Sequence, residues 1–192
     1  GNSKTDKDEG FFDKKDGYLR LVDDVHILQK QIRQEYPSLP YIMLGHSMGS
    51  LILRIYLTIY DDNIDKAILM GTSGREKNLR SGLILAKLIK IFRGEKYKSK
   101  KLYELVQGSF NKQFKNANNN LEWITSNIEK QGEYKNDSKC GIRFTTSAYV
   151  DLLKMNIYLN IKDNIAKTKN IPLLFISGDY DPVGENGEGI YR

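Results

Sequence analysis

Cysteine occurs once in the 192 residues, histidine twice, tryptophan once and proline four times. The single thiol, Cys140, rules out an intrachain disulfide and makes a reducing, cytoplasmic setting the expectation. One cysteine with His26 and His46 is too little soft-ligand chemistry for a zinc site, and no cofactor is expected. No apolar run is long enough to cross a bilayer, and no secretory leader is visible. The net charge is +6, yet no zinc-finger spacing, RNP motif or basic heptad accompanies it, so nucleic acid is not an expected partner. The basic surplus lies mainly in the middle of the chain and reads as a solvated face, one that anionic lipid surfaces would attract weakly. Internal repeats and low-complexity tracts are lacking too. The first residue is Gly1 rather than Met, and the run to Gly10 is polar without a strand signal, so a piece of a longer protein is expected.

What is present is globular: 40% hydrophobic and 28% charged residues, enough for one domain with a core and an inserted lid. Its most informative stretch is Tyr41-Ile42-Met43-Leu44-Gly45-His46-Ser47-Met48-Gly49-Ser50. A short apolar run ends in Gly-x-Ser-x-Gly and an amphipathic helical pattern follows at once, the strand–turn–helix context of a nucleophile elbow. Gly45 and Gly49 are expected to be glycines because a Cβ would crowd strand against helix, and Ser50 is small enough for close packing.

Around that stretch the pattern is α/β. Residues 1–15 read as loop. Tyr18, Leu21, Val22, Val25, Leu28 and Ile32 recur at helical spacing behind Asp16, a candidate N-cap. His26 beside this stripe reads as a half-buried structural histidine. Leu51, Ile52, Ile55, Tyr56 and Ile59 are expected to face the sheet, with Asp61–Asn63 ending that helix and Lys66–Met70 the next strand. Connections this short between like strands imply a parallel pair. Gly71-Thr72-Ser73-Gly74 then leaves the carboxyl edge, where open parallel sheets bind ligands.

From Arg75 to Asn170 helical patterns dominate. Leu83, Ile84, Leu88, Ile91 and Phe92 form a stripe punctuated by Lys87, Lys90 and Arg93, which suits an interfacial helix, a lid over a pocket or plain packing. Arg93–Lys101 reads as a solvated basic loop. Phe110, Phe114 and Trp123 read as core aromatics, Asn116–Asn120 as a turn, and Cys140 as a small, at least half-buried side chain. The stretch from Cys140 to Phe144 leads into a helix through Tyr149, Leu152, Leu153 and Ile157. Ile171–Ser177 resumes the sheet and Gly178–Gly184 turns away from it.

A serine hydroxyl attacks a carbonyl only with a histidine base, an acid orienting that base, and donors for the oxyanion. Ser47 is the expected nucleophile, and the backbone N–H of Met48 the first oxyanion donor. Asp181, on the turn past the last strand, is preferred as the acid over Asp179; the blander reading is an Asp-Pro turn. Glu185 and Glu188 nearby suggest calcium only weakly, because Val183 stands where an EF-hand needs a ligand. The base is not expected among these residues: His26 precedes the elbow, and His46 adjoins Ser47 and is expected to face elsewhere.

These stretches together resemble the α/β-hydrolases of the serine aminopeptidase branch, which includes monoacylglycerol lipases and lysophospholipase-like enzymes. The matching segments are Phe11-Phe12 with Asp16-Gly17, Leu21-Val22-Asp23-Asp24, Gly45–Ser50, Gly71-Thr72, Cys140-Gly141 with Phe144-Thr145, Asp151-Leu152-Leu153 and Phe175–Gly184. The resemblance implies an α/β-hydrolase fold, a mostly parallel sheet flanked by helices with an inserted helical cap. Residues 1–73 would be hydrolase core, 74–170 the cap, and 171–192 the return to the core. It also implies Ser47, Asp181 and Met48 in the roles above. The family's early strands with their His-Gly oxyanion loop, and its late histidine segment, have no counterpart here. The substrate class implied is an acyl ester or lipid, cleaved through an acyl-enzyme. A peptidase or thioesterase on the same scaffold, or a non-catalytic binding protein, are the alternatives.

Overall fold

Three parallel strands carry the molecule in the computed structural model, which describes residues 8–60, 64–74, 78–108, 110–114 and 120–190. The helix stop expected at 61–63 and most of the Asn-rich turn lie outside them. Strand β1 (Ile42–His46) pairs with β2 (Lys66–Met70), and β2 with β3 (Leu173–Ile176), in the order β1-β2-β3. The register sets Ile42 opposite Lys66, His46 opposite Met70 and Ala67 opposite Leu173. All three strands therefore end on one edge, where Ser47, Gly71 and the 177–181 turn meet.

Because side chains alternate along a strand, the sheet presents two different faces. Met43, Ala67 and Leu69 pack on helix α2 (Met48–Ile59), whose Leu51, Leu53, Ile55, Tyr56 and Leu57 are buried. Ile59, expected on the sheet side, is exposed. On the other face Ile42, Leu44, Leu174 and Ile176 are exposed, Leu44 by 58%. Such apolar strands have the composition of a parallel sheet covered on both sides, but among the described residues nothing covers this one.

Helix α1 (Gly17–Glu35) packs Val22 into that same core, while Leu28, counted in its apolar stripe, points outward. Its N-terminus departs from expectation. Asp16 adopts a left-handed φ of 50° and makes no capping bond; its Oδ1 instead accepts from Lys154 Nζ at 2.6 Å. The N–H of Gly17 donates 3.1 Å to Asp151 Oδ2, 134 residues along the chain. A Cβ on Gly17 would stand 2.7 Å from that oxygen, so only glycine lets this carboxylate cap the helix.

The distant cap is costly when ionised. Asp151 is only 2% exposed, and burial pushes its pKa up from 3.8 to about 6, against the opposing pull of Lys154 and the Gly17 bond. A carboxyl whose folded-state pKa is raised stabilises the fold most below the unfolded value, and that stabilisation is lost as pH rises through the folded one. The loss amounts to about 2.4 kcal/mol between pH 4 and 8. Asp151→Asn removes the titration, so the stability of the variant relative to wild type is expected to climb by about that amount over this window. Urea unfolding across the window measures it, and a flat difference would rule out the assignment.

A second core forms where α3 (Leu79–Arg93) and α4 (Lys100–Val106) pack on α6 (Thr146–Leu159). Leu79, Ala86, Leu102, Tyr149, Val150 and Leu153 are buried there. Helix α6 bridges the two cores, since its Met155 and Leu159 belong to the first. The short helices α5 (Ile128–Asn136) and α7 (Lys162–Ile165) also lie between β2 and β3. No helix among the described residues is long and apolar enough to cross a membrane.

Helix α3 packs by a different face from the one its sequence suggested. Leu79, Leu83, Leu85, Ala86 and Ile89 turn inward, whereas Ile84, Leu88, Ile91 and Phe92 face solvent, the last two 75% and 80% exposed. The basic stretch behind it is only partly solvated. Glu95 and Tyr97 lend their carbonyls to the first N–H groups of α6, and Lys96 pairs with Asp8 at 2.7 Å. The 8–16 loop is held from the same place: the Thr145 N–H donates to Gly10 O at 2.9 Å and Ser147 Oγ to Asp13 O at 2.8 Å.

Candidate active site

At the end of β1 the chain reverses into α2 through one residue. Ser47 has φ 51° and ψ −123°, a conformation that is costly for any residue with a side chain and persists only where neighbours enforce it. The enforcement is visible. The Ser47 N–H donates to Met70 O on β2 at 2.9 Å, and its carbonyl accepts the Ser50 N–H at 2.9 Å and the Ser50 hydroxyl at 2.5 Å. A Cβ on Gly45 would lie 2.5 Å from Gly49 O and 2.8 Å from Ser50 Cα, so glycine is obligatory there. Gly49 differs from expectation: a Cβ would meet nothing within 4 Å. Ser47 is exposed at the tip, and the Met48 N–H is a first-turn donor of α2, for which helix geometry provides no intrahelical acceptor.

Asp181 stands on the turn after β3. Its Oδ1 accepts the Val183 N–H at 2.9 Å, capping the 3-10 turn Pro182–Gly184, and its backbone is fixed by bonds to Gly178 and Asn186. Oδ2 lies beside Gly71: a Cβ there would be 3.3 Å from it and 3.6 Å from His46 Nε2. Asp181 and His46 therefore flank Gly71 together, so His46 faces the Asp181 side of the edge rather than away from it. Asp179, the rival acid, is exposed in the preceding turn. His26 is occupied elsewhere, stacked on Tyr60 at 3.8 Å and bonded to the Tyr56 hydroxyl at 3.4 Å.

Behind Ser47 opens a cavity of about 550 Å³, walled by Leu85, Leu105, Phe110, Trp123, Leu153 and Val183 among others. No charged side chain lines it among the described residues. Phe110 and Trp123, expected to be core aromatics, are ring neighbours at 5.0 Å and form part of this wall. The polar exceptions include a pair that sequence reasoning missed. Ser73 Oγ donates to Asn156 Oδ1 at 2.6 Å, and Asn156 Nδ2 returns to Leu152 O at 3.0 Å. The signal was an asparagine one helical turn after Leu152, on the lining face of an apolar helix. Half-buried Arg54 holds the Gly71–Gly74 loop from below, donating to Ser73 O at 2.8 Å and Thr72 Oγ1 at 3.3 Å; its surroundings desolvate the guanidinium and lower its pKa. Among the described residues no three His, Cys, Asp or Glu side chains are grouped to hold a metal.

The arrangement is thus a strained serine at a helix N-terminus, a capped carboxylate on the same sheet edge, and an apolar cavity between sheet and helices. No curated protein sequence matches the chain. A thermostable carboxyl esterase from Bacillus coagulans, solved with glycerol, superposes with a TM-score of 0.81 at 31% identity, over 91% of this chain and 57% of its own. A lipase in its open form gives 0.79 at 22% identity, over 92% and 58%. A soluble variant of monoglyceride lipase from Saccharomyces cerevisiae, with a substrate analogue, gives 0.67 at 18% identity, over 96% and 57%. The chain spans under three fifths of the length of each of these structures, and the fold it shares with them is the α/β-hydrolase fold. Its sequence matches the serine aminopeptidase, S33 family over residues 5–190, and the chain belongs to that family.

Proposed function

We infer that the whole protein is a serine hydrolase of carboxylic esters with apolar acyl chains, monoacylglycerols or lysophospholipids in class. The observation that carries this reading is the uncharged, largely apolar cavity opening directly on Ser47. Removing an acyl chain from water into such a cavity is favourable by about 0.8 kcal/mol per methylene. An aminopeptidase would need a carboxylate there to hold the substrate ammonium, and the described lining offers none.

In this mechanism Ser47 Oγ attacks the ester carbonyl carbon as a histidine from outside these 192 residues takes its proton. The tetrahedral oxyanion accepts the Met48 N–H, and Asp181 orients and stabilises the imidazolium. Collapse breaks the ester C–O bond, and the alcohol departs with the proton. Water, deprotonated by the same histidine, then attacks the acyl-enzyme and releases the acid with Ser47 restored. Residues 74–170 form the cap, with α6 as its floor. The solvent-facing ridge Ile84, Leu88, Ile91 and Phe92, flanked by Lys87 and Arg93, suits an anionic lipid surface from which substrate is drawn.

One panel tests the reading: turnover by the whole protein on acyl esters, acyl thioesters and aminoacyl amides, the esters offered both as monomers and in anionic vesicles. Esters are expected to lead. Ile91→Glu with Phe92→Glu is expected to slow only the vesicle assay, by about tenfold. A lead for aminoacyl amides or thioesters overturns the ester assignment, no turnover on any of them favours a binding protein, and equal slowing in both ester formats overturns the surface role.

A further inference from the structure

Gly82 sits in the first turns of α3, where nothing in its backbone demands glycine. It does not occupy the positive-φ region, and a Cβ added to it would make only ordinary contacts, 3.6 Å from Leu153 Cδ2 and 3.9 Å from Leu105 Cδ2. This contrasts with Gly45, where a Cβ collides with backbone. A glycine in a helix is destabilising relative to alanine, so this position gives up stability without a conformational return. What it yields is space: Gly82, Leu105 and Leu153 all line the cavity that begins at Ser47.

Leu105 belongs to α4 and Leu153 to α6, so the three residues come from the three helices that wall the cavity on the cap side. Any side chain longer than a methyl group at position 82 would have to enter the cavity or displace those two leucines. Leu153 is nearly buried and anchored in the second core, and so resists displacement. The cavity is the cheaper direction.

We propose that Gly82 is a specificity-determining residue, the point on the cap wall that sets how long an acyl chain the site accepts. The inference rests on the ester-hydrolase reading given above. The leading methylenes beside Ser47 pack against α2 and the sheet edge, whereas the distal ones pass the opening between Gly82, Leu105 and Leu153. A plug at position 82 therefore penalises long chains and leaves the attacked carbonyl untouched.

The test is the ratio of kcat/KM for a dodecanoyl to a butanoyl ester, measured on the whole protein. Each methylene excluded from the cavity costs about fourfold in that ratio. Gly82→Leu is expected to lower it by at least about tenfold, chiefly through KM, and Gly82→Ala by a smaller factor while raising the melting temperature. An unchanged ratio in folded Gly82→Leu overturns the proposal, as does an equal fall for both esters. Should Gly82→Leu fail to fold, half-exposed Leu105→Ala tests the same opening from the opposite wall. It is expected to move the preference towards longer chains, and an unmoved profile overturns the proposal. If the wild-type protein hydrolyses neither ester, the ester-hydrolase reading falls and this inference with it. If it hydrolyses both and the variants do not discriminate, only the inference falls.

Discussion

Ser47→Ala is expected to abolish covalent labelling by a fluorophosphonate probe and to lower kcat on acyl esters by on the order of 10⁴–10⁶. The reason is positional. At the tip of the elbow the hydroxyl stands clear of the sheet, beside the helix N-terminus that carries the Met48 N–H. The backbone conformation gives this prediction a second readout. At φ 51° and ψ −123° a side chain is strained by about 1–3 kcal/mol, which glycine avoids at the price of about 0.5–1 kcal/mol in chain entropy. Ser47→Gly should therefore be as inactive as Ser47→Ala yet more stable by about 1 kcal/mol, because the strain exists to present the hydroxyl. Probe labelling that survives in Ser47→Ala would remove Ser47 as nucleophile. A Ser47→Gly variant less stable than Ser47→Ala would remove the strain argument.

The elbow was legible in the sequence because its causes are local. Gly45 is crowded by residues four and five positions later, so strand, turn and helix had to be written within ten residues. The turn that carries Asp181 was legible for a similar reason, since it is built from its own neighbours Gly178, Val183 and Asn186. What failed to show was whatever depends on residues far apart. Asp16 has the type and place of an N-cap, but the carboxylate that caps α1 is Asp151. Only the fold brings α6 to that helix end.

Helix α3 shows a different limit. Its sequence carries two apolar stripes, one through Leu79, Leu83 and Ala86 and another through Ile84, Leu88 and Ile91, each at helical spacing. Periodicity identifies the helix but cannot choose between them. The choice is made by size. Ala86 lies on the packed side, fully buried, where a small residue lets α6 approach, while the bulkier stripe is left to solvent. The cavity was hidden from the sequence for the same reason. Its walls include residues of α3, α4 and α6 with Phe110 and Trp123, and the residues that matter most in it are a missing side chain at Gly82 and a hydrogen-bonded pair, Ser73 and Asn156.

Asp181→Asn is expected to cost about 10⁴ in kcat on acyl esters with little loss of stability. The two effects separate because the two oxygens do different work. Oδ1 caps the Pro182–Gly184 turn by accepting the Val183 N–H, and an asparagine carbonyl oxygen can do the same, whereas Asp181→Ala forfeits a cap worth about 1 kcal/mol. Oδ2 stands free of that turn, beside Gly71. An amide in its place cannot stabilise an imidazolium, and its NH₂ would favour the wrong tautomer of the base. Asp179→Asn, on the exposed part of the turn, should change kcat by less than about threefold; a loss there as large as at Asp181 would exchange the two assignments. His46 supplies the remaining discrimination, because its Nε2 shares the Gly71 niche with Oδ2. If the base lies outside these 192 residues, His46→Gln costs far less than Asp181→Asn. Equal losses in the two variants would make His46 the imidazole that Asp181 orients, and the reaction would then be carried by the elbow and its own preceding residue.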